Sequence, residues 1–464
     1  MSKRHVLFSR ALLATIVAVY CLLGFAYAME TPKWQTPDEP AHYNYIAYLA
    51  ENGRFPVLQE GDYPHQYLEE IKAAGFPPEM SIETIRYESH QPPLYYALAA
   101  VLFRLTSPLG FDVQFLSLRL FSVALGAGLL LVAYAIGTAV FPADPYVPLT
   151  ATAMMATLPM HIAMSAAINN DTLAEVILAL VIWLSIMEIK EGLSLRRALA
   201  LGVLVALALL TKTTIYAPVI LVPPVALAAR GRALGWHAFS RRLGDVFGLA
   251  LLLSSWWFVR NVLTYGGLDL FAWHRHDSIV VGQPTTAGWI AEYGLTQTIQ
   301  DFLLVSFRSF WAQFGWMGVL IDSRLYLFLA LVSIAVGVGF VLWLVRVVRS
   351  GQILTGFQRW ALVLLLVVLL TVVAGHVWYN LKFVQHQGRY LFSALVPISI
   401  AFALGLLEWL ALLYDATVRL GPRLRFAAAL PAALKGAAFS VFYLAFLALD
   451  VVCLYLFIVP QLRR

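Results

Sequence analysis

Apolar residues in this chain do not alternate, nor do they mark one face of a helix. They run in blocks long enough to cross a bilayer, since roughly 20 residues at 1.5 Å rise cover a hydrocarbon core of about 30 Å. The first block is Leu12–Met29, and ten more follow: Phe115–Phe141, Val147–Ala167, Thr172–Ile189, Ala198–Leu210, Ile215–Ala229, Val246–Val262, Leu325–Val345, Trp360–Trp378, Leu391–Leu413 and Gly436–Val459. The pattern predicts an all-α polytopic membrane protein with about 11 transmembrane helices. Two of these, between Ala198 and Ala229, are short and interrupted at Thr211–Thr214.

Three segments fit a helix lying in the interface. Pro92–Thr106 (PPLYYALAAVLFRLT) spans only about 22 Å as helix, and its paired prolines suit a first turn whose N–H groups have no partner. The alternative there is a short span. Ala41–Glu51 is a second interfacial candidate, and Phe302–Trp316 a third, unless it is a tilted span that would invert all that follows. Gly53–Ser89 is rich in Pro, Gly and acids and too small for its own core, so it is expected to cap the membrane domain. A second loop, Gly266–Ala287, gathers Trp273, His274, Arg275, His276 and Asp277.

Basic residues orient the spans. With the N-terminus inside, the cytoplasmic segments hold Lys190, Arg196, Arg197, Arg230, Arg232, Arg241, Arg242, Arg346, Arg349, Arg359, Arg419, Arg423, Arg425 and Lys435. The outer segments hold most of the acids. Lys3, Arg4 and Arg10 ahead of an apolar run imitate a signal peptide, but the run is long and more spans follow. It is read as a retained first helix.

Composition agrees, at 61% hydrophobic and only 12% charged, where a soluble domain carries about 25% charge. The net charge of +6 is scattered between spans with no basic stripe, which argues against a nucleic-acid partner. Cys21 and Cys453 both sit in apolar blocks, so no disulfide framework is expected.

The chemistry concentrates in TPDEPAHYNY, Thr36–Tyr45, directly after the first span. Asp38, Glu39 and His42 share one helical turn if a helix begins near Pro40, with Asp38 at its cap. A carboxylate held there by backbone N–H groups could act as a general base toward a hydroxyl; a plain capping acid is the equal alternative. Glu88 and His90, in ESHQPP, could complete a carboxylate–imidazole nest. That set could also hold a divalent metal, although no cofactor is indicated and no spacing of high specificity is present. Asn169-Asn170-Asp171 opens a helix at the same face, where an Asx cap is the simpler role. Lys212 in LLTKTT, Arg260 in WWFVRN and Arg389 in HQGRY lie where spans reach that face. Together they could grip a phosphate; singly, each suits a snorkelling helix end.

These residues carry a resemblance. An acid pair after the first span, E-x-H-x-P-P-L-x-Y before an interfacial helix, and Arg119-Leu-Phe-Ser opening a span are similar to the membrane glycosyltransferases of the C superfamily (GT-C). NNDTLAE, LLTKTT, WWFVRN and QGRYLFSALVP point to the branch of protein O-mannosyltransferases and lipid A aminoarabinose transferases. The resemblance runs to Pro397 and implies a GT-C-like bundle. Residues 1–413, with outer loop 30–114, would be the catalytic membrane domain, and 414–464 a cytoplasmic loop and last helix.

It implies a multi-pass enzyme of a bacterial plasma membrane, its site facing outward, that takes a sugar from a polyprenyl-phosphate donor. The acceptor would be a lipid, glycan or protein hydroxyl. Asp38 would be the base, with Glu39 as neighbour or alternate. His42, Glu88, His90 and Asp171 would line the pocket, and Lys212, Arg260, Arg389 and Tyr390 would bind the donor. A base opposite the leaving phosphate predicts inversion, with carboxylate and cations facing each other across a gap of sugar size. The chain lacks the large C-terminal soluble domain of that branch, which leaves the acceptor open. A transporter or flippase of lipid-linked sugars is the main alternative, but it would place ions at mid-membrane, where Asp450 stands almost alone.

Overall fold

The computed structural model describes residues 3–192, 194–350, 354–420 and 430–463. The chain enters through α1 (Lys3–Glu30) and, after one turn, forms α2 (Glu39–Asn52), α3 (His65–Ala73) and α4 (Leu94–Thr106). It continues through α5 (Phe111–Val140), α6 (Tyr146–Ala156), α7 (Pro159–Ser165), α8 (Asp171–Glu191), α9 (Leu195–Leu209) and α10 (Tyr216–Ala228). Next come α11 (Gly231–Tyr265, broken at Gly235), α12 (Trp273–Ile279), α13 (Thr286–Tyr293) and α14 (Leu295–Trp311). A two-residue hairpin pairs Gln313–Phe314 with Val319–Leu320. The chain ends with α15 (Ser323–Ser350), α16 (Gly356–Asn380), α17 (Leu395–Leu420), α18 (Leu430–Val452) and, beyond a π turn at Cys453–Ile458, α19 (Val459–Leu462).

Among the described residues, eight helices are long and apolar enough to cross a membrane. The pair α6 and α7, bent by 64° where Thr157 and Leu158 interrupt it, is either a broken ninth span or a re-entrant loop. The two short expected spans are α9 and α10, of 15 and 13 residues. Pro223 and Pro224 lie inside α10, where missing N–H groups limit its regularity. The chain is thus an integral, multi-pass, all-α membrane protein, and the eleven expected segments resolve into eight full spans, one bent pair and two short helices. The expected cytoplasmic loop from 414 falls partly on residues 421–429, outside those described.

The three interfacial candidates are helices too, except that the third ends at Trp311, because Gln313 and Phe314 turn into the hairpin. α4 is 13 residues, about 20 Å, shorter than a bilayer core. At the basic end of the bundle Lys435 pairs with Asp144 at 2.5 Å, and Arg230 reaches the Lys190 carbonyl at 3.4 Å. The opposite end carries the cap. Its small core joins Ala41 of α2 to Leu68, Ile71, Phe76, Ile85, Tyr87 and Val280. That packing seats Tyr87 over the exit of α1.

Candidate functional site

Pro40 in the first turn of α2 supplies a preset φ and no N–H to satisfy, so the helix starts abruptly after Asp38. Asp38 itself stands at φ 66°, in the left-handed region, and its side chain makes no capping bond. The expected grip by backbone N–H groups is therefore absent. Aspartate tolerates this backbone better than most residues, at a strain of about 1 kcal/mol. The turn aims its carboxylate away from the helix. Tyr87 Oη donates to Oδ1 at 2.8 Å, and Arg389 Nη2 donates to Oδ2 at 2.7 Å. Burial pushes Asp38 up, but the Arg389 charge and the hydrogen bonds from Arg389 and Tyr87 outweigh it and hold the acid below its ordinary value. Asp38 is an anion at neutral pH.

Glu39 points the other way. Its side chain is fully buried and meets Arg119 of α5 in a bidentate pair, Nε–Oε1 at 2.8 Å and Nη2–Oε2 at 2.7 Å. The Trp34 and Ile168 amides also donate to it, at 3.0 and 3.2 Å. Arg119 spends its remaining donors on the carbonyls of Ala28, Thr31 and Pro32. Glu39 therefore ties the exit of α1 to α5 and offers no free oxygen as an alternate base. Successive residues at a helix start face about 100° apart, and the left-handed turn at Asp38 widens the difference.

His42 bonds through Nδ1 to Tyr96 Oη at 2.8 Å. Burial, then the Lys212 charge, lowers it to about 3, so it is a neutral imidazole. Lys212, at the end of α9, pairs with Asp171 at 2.7 Å and donates to Asn170 Oδ1 at 2.8 Å. Asp171 opens α8, and its amide donates to Asn169 Oδ1 at 3.0 Å in an Asx turn, while the expected cap is not formed, since the N-cap residue Asn170 makes no side-chain capping bond. Arg389 comes from the 3₁₀ turn Gly388–Ala394 that leads into α17. Its Nε donates to Gln387 Oε1 at 2.6 Å, and its guanidinium stands over the Tyr390 ring at 5.4 Å. Gly388 is required there: a Cβ would sit 2.0 Å from the Ser306 carbonyl oxygen of α14.

Asp38, His42, Asp171, Lys212 and Arg389 thus meet at one end of the bundle, with Tyr87, Tyr96, Asn170 and Gln387 as partners unforeseen from sequence. The expected gap of sugar size is closed, because carboxylate and guanidinium are in direct contact. Glu88 and His90 flank the group. Burial and the Asp38 charge raise Glu88 to about 7. His90 bonds the Tyr87 carbonyl at 3.0 Å and lies 4.7 Å from the His276 ring; burial and that neighbour lower it to about 3. His276 leads on to Asp277, which pairs with Lys382.

Arg260 is not brought to this group by its contacts. It donates to the Pro56 carbonyl at 2.6 Å and to Asn261, and stacks on Trp257 at 4.8 Å, which anchors the cap to α11. Tyr390 faces the His376 and Tyr379 rings at about 6 Å. Among the described residues, no three His, Cys, Asp or Glu side chains group as a metal would need.

The family model described as dolichyl-phosphate-mannose-protein mannosyltransferase matches residues 90–258. A search of curated proteins finds no sequence match. Solved structures match the fold. The apo oligosaccharyltransferase of Archaeoglobus fulgidus aligns over 94% of this chain at 13% identity and a TM-score of 0.54. The AglB oligosaccharyltransferase of the same organism, in complex with an inhibitory peptide and a dolichol-phosphate, aligns over 97% at 11% identity and 0.52. Apo ArnT from Cupriavidus metallidurans aligns over 97% at 14% identity and 0.50. This chain spans 56% of each archaeal enzyme and 73% of ArnT. The motifs around His90–Tyr96 and Arg119–Ser122 lie inside the segment 90–258 that matches this family model, and the chain shares the fold of the oligosaccharyltransferase and ArnT structures.

Proposed function

We propose that this chain is an inverting glycosyltransferase, moving a sugar from a polyprenyl-phosphate donor to an acceptor hydroxyl at the outer membrane face. The single observation that carries this reading is the meeting of Asp38, an ionised acid, with Arg389 and the Lys212–Asp171 pair at the end of the bundle remote from its basic loops. A structural neighbour, AglB, holds a dolichol-phosphate, which is the donor chemistry this arrangement suits.

The acceptor oxygen attacks the anomeric carbon while Asp38 takes its proton. The bond from that carbon to the phosphate oxygen breaks, and its electron pair leaves with the polyprenyl phosphate. The leaving group departs as a stable anion, so it needs positive charge rather than an acid, and Arg389 and Lys212 supply it. A donor phosphate competes with Asp38 for Arg389, which frees the carboxylate as the donor binds. Tyr87 keeps Asp38 oriented throughout. Residues 1–413 form the catalytic unit in this reading, with residues 414–464 appended. Clustering at one end, rather than a polar path through the bundle, favours chemistry over transport.

The test incubates purified protein with labelled polyprenyl-phosphate sugars and a panel of lipid, glycan and peptide acceptors. Transfer by the wild type and at least a thousandfold loss in Asp38→Asn, with donor binding retained, is the expected result. Full activity in Asp38→Asn would remove the assigned base.

A further inference from the structure

The 3₁₀ turn Tyr87–His90 and the Gln91 that follows it carry an unfinished hydrogen-bond set. Gln91 precedes Pro92, which holds it extended at φ −62° and ψ 148°. Tyr45 Oη donates to its carbonyl at 3.3 Å, and its backbone N–H donates to the Glu88 carbonyl at 3.0 Å. The two side chains bond each other, so the Glu88 carboxyl and the Gln91 carboxamide form one unit. Its remaining oxygens, Glu88 Oε2 and Gln91 Oε1, are both buried and both without a partner among the described residues. A buried acceptor left unpaired is costly, so two from this short segment call for donors from outside the protein.

The place matters. Tyr87, the preceding residue, donates to Asp38, and the Asp38 and Lys212 charges both act on Glu88. The unit therefore borders the centre where the reaction is placed above. Two acceptors on one hydrogen-bonded unit suit hydroxyls of one sugar ring, where hydroxyls stand side by side.

We infer that Glu88 and Gln91 recognise the transferred sugar, accepting hydrogen bonds from a neighbouring pair of its ring hydroxyls and so selecting donors that carry both. This rests on the transferase reading and adds the determinant of sugar choice. A site with paired acceptors discriminates strongly against an analogue lacking the hydroxyl, because its oxygens are then stranded.

The experiment measures transfer from polyprenyl-phosphate mannose, glucose and galactose and from the 2-, 3- and 4-deoxy analogue of each. The wild type should favour one parent sugar over at least one of its deoxy analogues by ~10-fold or more. Gln91→Met should compress that preference to within about twofold, and Glu88→Gln should reduce it at the same hydroxyl. If Gln91→Met does not accumulate as folded protein, Gln91→Asn replaces it with the same two outcomes. Unchanged discrimination in the Gln91 variant, or none in the wild type, would overturn this inference and leave the transferase reading standing. No transfer by the wild type from any donor would overturn both.

Discussion

Arg389 Nη2 stands 2.7 Å from Asp38 Oδ2 across 351 residues of sequence, joining the exit of the first span to the entry of α17. The contact is both a structural tie and the electrostatic centre of the site.

Replacing Arg389 with lysine keeps the charge but loses the fork that serves Asp38, Gln387 and the donor together. Transfer should fall by about 100-fold, through weaker donor engagement. Steady-state kinetics with varied donor would show it; an unchanged rate would exclude Arg389 from the site.

Glu39→Gln leaves Arg119 buried without its counter-charge and should destabilise the fold by about 3–5 kcal/mol. Thermal unfolding in detergent reads this directly. A stable, inactive Glu39→Gln protein would instead return Glu39 to catalysis.

Glu88 gives the fold a pH dependence of definite sign. Burial and Asp38 raise it to about 7, against the opposing Lys212 and His276 fields and the Gln91 bond, from an ordinary value of 4.5. Between those values the fold holds a proton that the unfolded chain has released, so stability falls as pH rises through this window. Glu88→Gln should be the more stable protein at pH 8, and the difference should vanish by pH 4.5. Asp38 acts oppositely: its depressed value stabilises above its ordinary 3.8 and is lost as pH falls below it.

Gly388→Ala tests how Arg389 is positioned. The added methyl group must displace the Ser306 carbonyl and the Phe310 amide of α14, 2.0 and 2.7 Å from its place. Because Ser309 Oγ also accepts from the Gly388 amide at 2.7 Å, the turn moves as a whole. We expect folded protein with transfer reduced at least tenfold, visible as lost activity at unchanged elution in gel filtration.

The bundle was legible in sequence because crossing a bilayer demands long apolar blocks, and those blocks are unmistakable. The acids after α1 were legible for the same reason: charge at a span end is conspicuous. What one strand of letters does not carry is a single backbone angle. Asp38 and Glu39 are neighbours of like chemistry, and only the left-handed turn at Asp38 sends one to Arg389 and the other to Arg119. Arg260 went astray similarly: its span end was read correctly, but its partner is a carbonyl in the cap, Pro56, which no spacing announces. Tyr87 was hidden as an ordinary aromatic beside the conspicuous Glu88.

The last helix closes on the first. Tyr27 Oη donates to the Asp450 carbonyl at 2.9 Å, and Arg463 reaches Glu30 at 2.5 Å, just ahead of the turn that presents Asp38. During translation that segment leaves the ribosome after the spans α1 to α17 that precede it. The nascent chain therefore cannot brace the Asp38 turn until Asp450 has been made, and truncation before that residue should yield a protein that reaches the membrane with the turn unbraced.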